Sequence, residues 1–159
     1  MKPYKRILGA GLKSTIFSIC LLGVAFLVRS KVGLPPISES AGVRSVVFGV
    51  SCVFSAGLII WSLRSLPPSD RGRQLVKSGA YAYFRHPIYA AFLLFFDFGL
   101  AVLLNNWIFV VWAAALHPLW HWCVTSEEAL MSELFPGEYE NYSKRVGRFF
   151  PRCNSKRKD

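Results

Sequence analysis

Two short stretches of the chain carry the residue types that do chemistry. In the first, Arg85 and His86 precede Pro87, with Tyr81, Tyr83, Phe84 and Tyr89 around them. Proline suits the first position of a helix, where its missing N–H is not needed. His86 is therefore expected at a helix N-terminus, where free N–H groups and the positive dipole end favour anions. In the second, Glu127 and Glu128 are adjacent, and Tyr139, Tyr142, Arg145 and Arg148 follow. Neighbouring carboxylates in a chain of formal net charge +10 suggest a cationic or hydroxyl-bearing ligand.

Taken together, the stretches offer an imidazole and a guanidinium for an anion, two acids for ammonium or hydroxyl groups, and aromatic rings between. A ligand using all of these carries a carboxylate, an ammonium, a ribose and a flat base. S-adenosyl-L-methionine is such a ligand, and its sulfonium is drawn to aromatic faces. NADPH or a nucleotide meets much of the same description. Each stretch also has a plainer reading. The rings are the types that sit at headgroup level in membranes. Thr125 to Glu128 has the Thr-x-x-Glu form of a capping box, which accounts for Glu128 and leaves Glu127 unexplained.

The elements that must position these residues are apolar. The 159-residue chain, the size of one domain (1–159), is 53% hydrophobic and 15% aromatic. The apolar residues come in blocks at about 12–28, 45–63, 88–104 and 107–124. Each block is near the length a helix needs to cross ~30 Å of hydrocarbon. The expected fold is all-α: an integral membrane bundle of four transmembrane helices. The first block follows a basic arm but lacks a small-residue cleavage site, so it is read as a membrane helix rather than a leader. Only Asn105 and Asn106 part the last two blocks, which predicts a tight helical hairpin. Sixteen of the nineteen Lys and Arg residues fall in the N-terminal arm, the 64–87 loop or the 125–159 tail. The positive-inside rule then places both termini and that loop in the cytoplasm. Basic flanks of membrane helices account for the net charge without nucleic acid, and suit contact with membrane lipids.

Within the loop, Pro67-Pro68 ends the second helix, 74–76 is extended and Ser78-Gly79 turns. In the tail, 129–135 is an amphipathic helix broken at Pro136-Gly137, and Tyr139, Tyr142 and Val146 share one face of a further turn or two. Cys20, Cys52, Cys123 and Cys153 show no paired spacing and are expected as free thiols. Asp97 and His117 both fall about ten residues into neighbouring antiparallel spans, where a paired contact between them is expected. His117 and His121 share a helix face, but no third ligand accompanies them, so no metal site is expected.

The strings "LVKSGAYAYFRHPIY" and "EEALMSELFPGEYENYSKRVGRFFP" resemble the isoprenylcysteine carboxyl methyltransferase family of integral membrane enzymes over about residues 66–151. The resemblance implies a cytoplasmic pocket for S-adenosyl-L-methionine, formed by the 64–89 loop and the helical tail. It assigns Gln74, Leu75, Val76, Tyr81, His86, Pro87, Ile88, Tyr89, Glu127 and Glu128 to the cofactor, with His86 near the methionyl carboxylate. Tyr139, Tyr142 and Arg145 would close the tail over it. The implied activity is methyl transfer to a lipophilic or lipidated acceptor, foremost a carboxylate. The family's substrate-binding Arg falls at Cys123 here, which leaves His121, Arg145 and Arg148 as candidates on the substrate side. Pro136 and Gly147 also depart from the family pattern. Other readings are an amine, thiol or phospholipid methyltransferase, an NADPH-dependent sterol-type reductase, and a non-enzymatic membrane scaffold.

Overall fold

The computed structural model describes residues 4–67 and 73–152. Lys2, Pro68, Arg71, Cys153, Lys156, Arg157 and Lys158, which entered the charge, turn and thiol readings, lie outside the described residues. The described chain is helical throughout, and its one β-type pairing is an isolated parallel bridge between Phe84 and Gly147.

Helix α1 spans Tyr4–Arg29 and α2 spans Ala41–Ser65. Ser40 starts α2 by accepting the Val43 N–H on its side chain, at 3.3 Å. After a short 3₁₀ turn at Gly79–Ala82, α3 (Pro87–Ala91) begins with His86 as its cap and proline in its first turn. A π turn at Phe92–Phe96 leads into α4, Asp97–Leu103. Then come α5 (Trp107–Cys123), α6 (Thr125–Leu134) and α7 (Glu138–Arg145).

Among the described residues, three helical runs are long and apolar enough to cross a bilayer: Gly11–Arg29, Ala41–Ser65 and Trp107–Leu134. The apolar part of the last run ends at Val124, beyond which α6 carries Glu127, Glu128 and Glu133. The expected third span is the shorter Pro87–Leu103 helix. Seventeen residues rise only ~26 Å, so this helix is marginal against ~30 Å of hydrocarbon. The chain thus has three to four helices suited to spanning.

Helix α5 packs against α1 on one side and α4 on another, while α2 covers α3, the π turn and α4. Trp112 and Trp120 hold α1 to α5: their indole N–H groups donate to the Ser18 carbonyl at 3.2 Å and the Ser18 hydroxyl at 3.0 Å. Helices in lipid lack a hydrophobic drive to associate and rely on close approach of small residues. Helix α2 follows that rule. Ser55 and Ser62 are buried, and a Cβ on Gly99 of α4 would meet the Ser51 Cβ at 2.5 Å. Large apolar side chains such as Leu27, Val53 and Val111 point outward.

The hairpin at 105–106 forms as its sequence predicts. Asn105 takes the left-handed backbone region (φ 55°), and its side-chain oxygen accepts the N–H groups of Ile37 and Ser38. Asn106 caps α5 at the Ile108 N–H and donates to the Leu34 carbonyl, at 3.1 and 3.2 Å. One end of the bundle is fastened there, and the polar cluster lies at the other.

Two expectations fail. No capping box forms at Thr125. The Glu128 N–H already donates to the Val124 carbonyl, so a nearly continuous α5–α6 leaves no free donor to cap, and Thr125 turns back to the Trp122 carbonyl. Asp97 does not meet His117. The π turn inserts an extra residue before Asp97 and shifts its register, and the tail occupies the His117 side, where Phe150 stacks at 5.5 Å. The Asp97 carboxyl has no hydrogen bond or ion pair among the described residues, while its backbone N–H donates to the Phe92 carbonyl.

The turn before the 3₁₀ segment is constrained by Gly79. Its φ is +59°, and a Cβ there would lie 2.2 Å from the Ser65 hydroxyl, which accepts the Ala80 N–H at 3.1 Å. Gly79→Val is expected to cost about 1–3 kcal/mol or more. The check is thermal unfolding in detergent, where the variant should melt clearly below the parent. An unchanged midpoint would show that this turn does not hold the loop.

Candidate functional site

The site forms where the 73–86 loop and the 138–150 tail meet the ends of α3, α5 and α6. Main-chain bonds set the register. Arg85 N–H donates to the Gly147 carbonyl at 2.8 Å and His86 N–H to the Arg148 carbonyl at 3.1 Å. Gly147 is required at this crossing, since a Cβ would fall 1.9 Å from the Phe150 carbonyl oxygen. The Tyr142 hydroxyl adds a 2.7 Å bond to the Tyr81 carbonyl. Beneath, Tyr139, Tyr142 and Val146 are buried together, with Leu75, Met131 and Phe135 against them. This is the shared face the tail sequence predicts. Lys77 and Glu138 form a half-exposed ion pair at the rim.

At the centre stands Glu128, buried and ionised. Arg148 grips it through Nε (3.1 and 3.0 Å to its two oxygens) and Nη2 (2.7 Å). Arg85 Nη1 lies 2.9 Å from Oε1, and His86 Nε2 lies 3.3 Å from the same oxygen. Burial pushes the Glu128 carboxyl up. The hydrogen bonds from His86 and Arg148 and the Arg85 charge outweigh that and bring it to about 2.

Glu127, its neighbour, is held differently. It accepts one hydrogen bond, from the Tyr89 hydroxyl at 3.0 Å, and its other oxygen lies 3.7 Å from His86 Nδ1. Burial raises its carboxyl above the usual range, against the lowering pull of His86 and Tyr89. Two adjacent acids thus have their affinities for a proton pushed apart, which commonly marks a division of labour. The two phenols below are raised as well. Tyr139 is pushed up to about 12 and Tyr142 also upward, first by burial.

Aromatic rings wall the cluster. His86 stacks on Tyr89 (5.6 Å between centroids) and faces Phe149, Tyr89 packs on Trp120 at 4.7 Å, and His121 meets Phe149 edge-on at 4.9 Å. Trp120 and Phe149 are buried. The Tyr89 hydroxyl also lies close to α1, because a Cβ on Gly11 would approach it to 2.8 Å.

The sequence-predicted residues divide as follows. His86, Tyr89, Glu127, Glu128 and Arg148 converge, and Arg148 Nη1 reaches His121, at 3.1 Å to its carbonyl and 3.3 Å to Nδ1. Pro87 is fully buried at the helix start, with Ile88 and Val76 half-buried. Tyr81 joins through its carbonyl, and Leu75 through the tyrosine cluster. Gln74 and Arg145 are exposed, Arg145 donating to the Asn141 carbonyl in its own helix. Cys123 is half-buried and its carbonyl accepts from Ser126. Arg85, read in the sequence as a group for an anionic ligand, pairs with Glu128 instead. One residue was missed. Phe149 reads as one more apolar tail residue, yet it sits between two imidazoles. No spacing around Arg148, Phe149 and Phe150 in the sequence marks this. Tyr83, packed on Trp61 and exposed, is the one ring of the loop that fits an interface belt.

Long apolar helices with buried acids, imidazole and guanidinium groups gathered at their ends define an integral membrane protein whose polar site borders its apolar region. The chain belongs to the phospholipid methyltransferase family, whose model matches residues 41–138. Over 78 residues it is 35% identical to the protein-S-isoprenylcysteine O-methyltransferase of Schizosaccharomyces pombe, covering 48% of this chain. The matched stretch spans 33% of that relative's length. Both findings agree with the resemblance carried by the two motifs.

The electrostatics predict an acid transition. The Glu128 carboxyl lies at about 2 in the folded chain against an ordinary 4.5. Its stabilisation is complete above about pH 4.5 and is lost as pH falls toward 2. Glu127, raised by folding, acts in the opposite sense. Melting temperature measured against pH should fall more steeply over that interval for the parent than for Glu128→Gln. Removing the partner altogether, as in Glu128→Ala, should cost roughly 3 kcal/mol. Parallel pH curves for parent and Glu128→Gln would contradict this account of the clasp.

Proposed function

We propose that the protein transfers a methyl group from S-adenosyl-L-methionine to a lipophilic acceptor that partitions into the membrane. The observation that carries this reading is the convergence of His86, Glu127, Glu128 and Arg148 from separate segments. Family membership supports the same reaction class.

The residues fit the methyl donor. Glu127 keeps one oxygen without a hydrogen bond, suited to an ammonium or a ribose hydroxyl. Arg85 Nε is a buried donor with no partner, suited to a carboxylate, with His86 beside it. The faces of Tyr89, Trp120 and Phe149 suit a sulfonium. Gln74, Leu75, Val76 and Tyr81 would line the remainder, at the edge of the tyrosine cluster. When bound, the donor supplies an electrophilic methyl group. The chain's task is then to exclude water, align the acceptor with the methyl–sulfur bond and hold it there.

A carboxylate acceptor is already ionised at neutral pH and needs no base. This is the acceptor type named for the Schizosaccharomyces relative. An amine acceptor must first lose a proton, and Glu127, raised by burial beside Tyr89 and His86, is placed to take it. The family's name favours considering that second class. The reading completes with four spans, both termini and the site in the cytoplasm, and an acceptor entering from the bilayer.

Membranes incubated with the protein and S-adenosyl-L-methionine labelled in the methyl group should place the label in a lipid-soluble fraction. Mild base releasing it as methanol would identify an ester and hence a carboxylate acceptor, and base-stable label an amine. Calorimetry should show S-adenosylhomocysteine binding to the parent and a loss of about 100-fold in His86→Ala or Glu127→Ala, the scale of an unpaired buried charge. Unaltered binding in both variants would refute the assignment of the site.

A further inference from the structure

We propose that the face of α5 from His117 to His121, beneath Phe150, is the subsite for the acceptor's oxyanion: a carboxylate or phosphodiester at the end of a hydrocarbon chain. This rests on the methyl-transfer reading and adds the place where the acceptor's head binds.

The starting observation is His117. It lies within an apolar span, and its Nδ1 is buried with no hydrogen-bond partner. Leaving such a group unpaired is costly in an apolar surrounding. Packing alone would be served better by an apolar residue. The ring it does touch is Phe150, stacked at 5.5 Å and 22°.

His117 is also the inner end of a line. Helices α5 and α6 run almost without a break, so His117, His121, Val124 and Glu128, at steps of four, three and four, fall on one face. The tail lies along that face in the reverse direction. Arg148 sits over Glu128 and His121, Phe149 over His121, and Phe150 over His117. A polar stripe therefore descends from the acid pair into the apolar span, under a three-residue strap.

The chemistry of the stripe favours an anion. Glu128, its one acid, is already paired by Arg85, His86 and Arg148. Arg148 uses Nε and Nη2 on Glu128, and its Nη1 donates to the His121 carbonyl at 3.1 Å and lies 3.3 Å from His121 Nδ1, so a ligand that displaces the ring nitrogen takes one Nη1 N–H. An oxyanion between the imidazoles would receive that N–H and one from His117. The hydrocarbon chain would continue along the exposed surface of α5, at Ala114 and Val111. Phe150 is the cover: 54% exposed although stacked, apolar, and followed by Pro151.

The test uses the full chain in neutral detergent and two probes, an S-prenyl-N-acetylcysteine with a free carboxylate and a short-chain phosphatidylethanolamine with a phosphodiester. The methyl ester of the first probe is the uncharged control. His117→Phe should weaken binding of the probe whose head occupies the subsite by at least about tenfold, the scale of one hydrogen bond to a charged group. Which probe suffers identifies the source of the oxyanion. The ester and S-adenosylhomocysteine should bind His117→Phe as they bind the parent, and His117→Gln should recover part of the loss. If both probes bind His117→Phe as they bind the parent while S-adenosylhomocysteine still binds, the subsite is wrong and methyl transfer stands. If the parent binds no S-adenosylhomocysteine, both fall. Should His117→Phe fail to fold, Phe150→Ala serves instead. Its His117 should react faster with diethyl pyrocarbonate, read by mass spectrometry, and bound probe should slow that reaction. Equal rates with and without Phe150 and probe would overturn the proposal.

Discussion

An ionised carboxylate withdrawn from water costs several kcal/mol unless charged partners replace its hydration. Glu128 is such a group, and the rest of the polar end is arranged around it. Its partners come from three places: Arg85 and His86 from the loop before α3, Arg148 from beyond α7, and the acid itself from α6. None of these pairings is local in sequence. The loop, the tail and the α5–α6 helix must therefore be in place together, and the parallel main-chain bonds between 85–86 and 147–148 set the alignment.

That constraint separates the roles of the neighbouring acids. Glu128 is saturated by cations, which makes it a fastener. Glu127 faces the other way, toward Tyr89 and the His86 edge, and keeps capacity to accept more. A saturated acid and one with accepting capacity left thus sit side by side on one helix, distinguished by what surrounds them. The aromatic rings serve both. They wall the Glu128 pairs, and on the Glu127 side Tyr89 stacks on His86 and packs on Trp120.

The opposite end of the bundle follows a different logic. There, two asparagines, joined by the Arg44 guanidinium on the Ser38 carbonyl, satisfy backbone groups of the 34–38 loop. Between the ends, small residues and indole–hydroxyl bonds join helices whose outer faces are apolar. This pattern is expected where lipid, not water, is the surrounding solvent. The helix interrupted by the π turn, Pro87–Leu103, is also the one that starts at the site.

Much of this was legible in the chain. Block hydropathy located the long helices, because a bilayer demands length and apolarity that few other structures share, though α1 begins at Tyr4, well before its apolar block. Proline and glycine marked the helix ends, because their backbone limits act locally. The two motifs pointed to His86 and the acid pair, because helix starts and neighbouring carboxylates are local features too. What the sequence could not decide was partnership. Arg85 and Phe149 acquire their roles, the capping box is lost and Asp97 misses His117 only once distant segments pack. Charge pairing and ring contact depend on position in space, and a π turn or an unbroken helix junction moves side chains by a register that composition does not record. The identity of the helices and of the candidate residues belonged to the sequence. Which acid became a fastener and which remained available was decided by the fold, since burial and neighbouring cations set the charge of each.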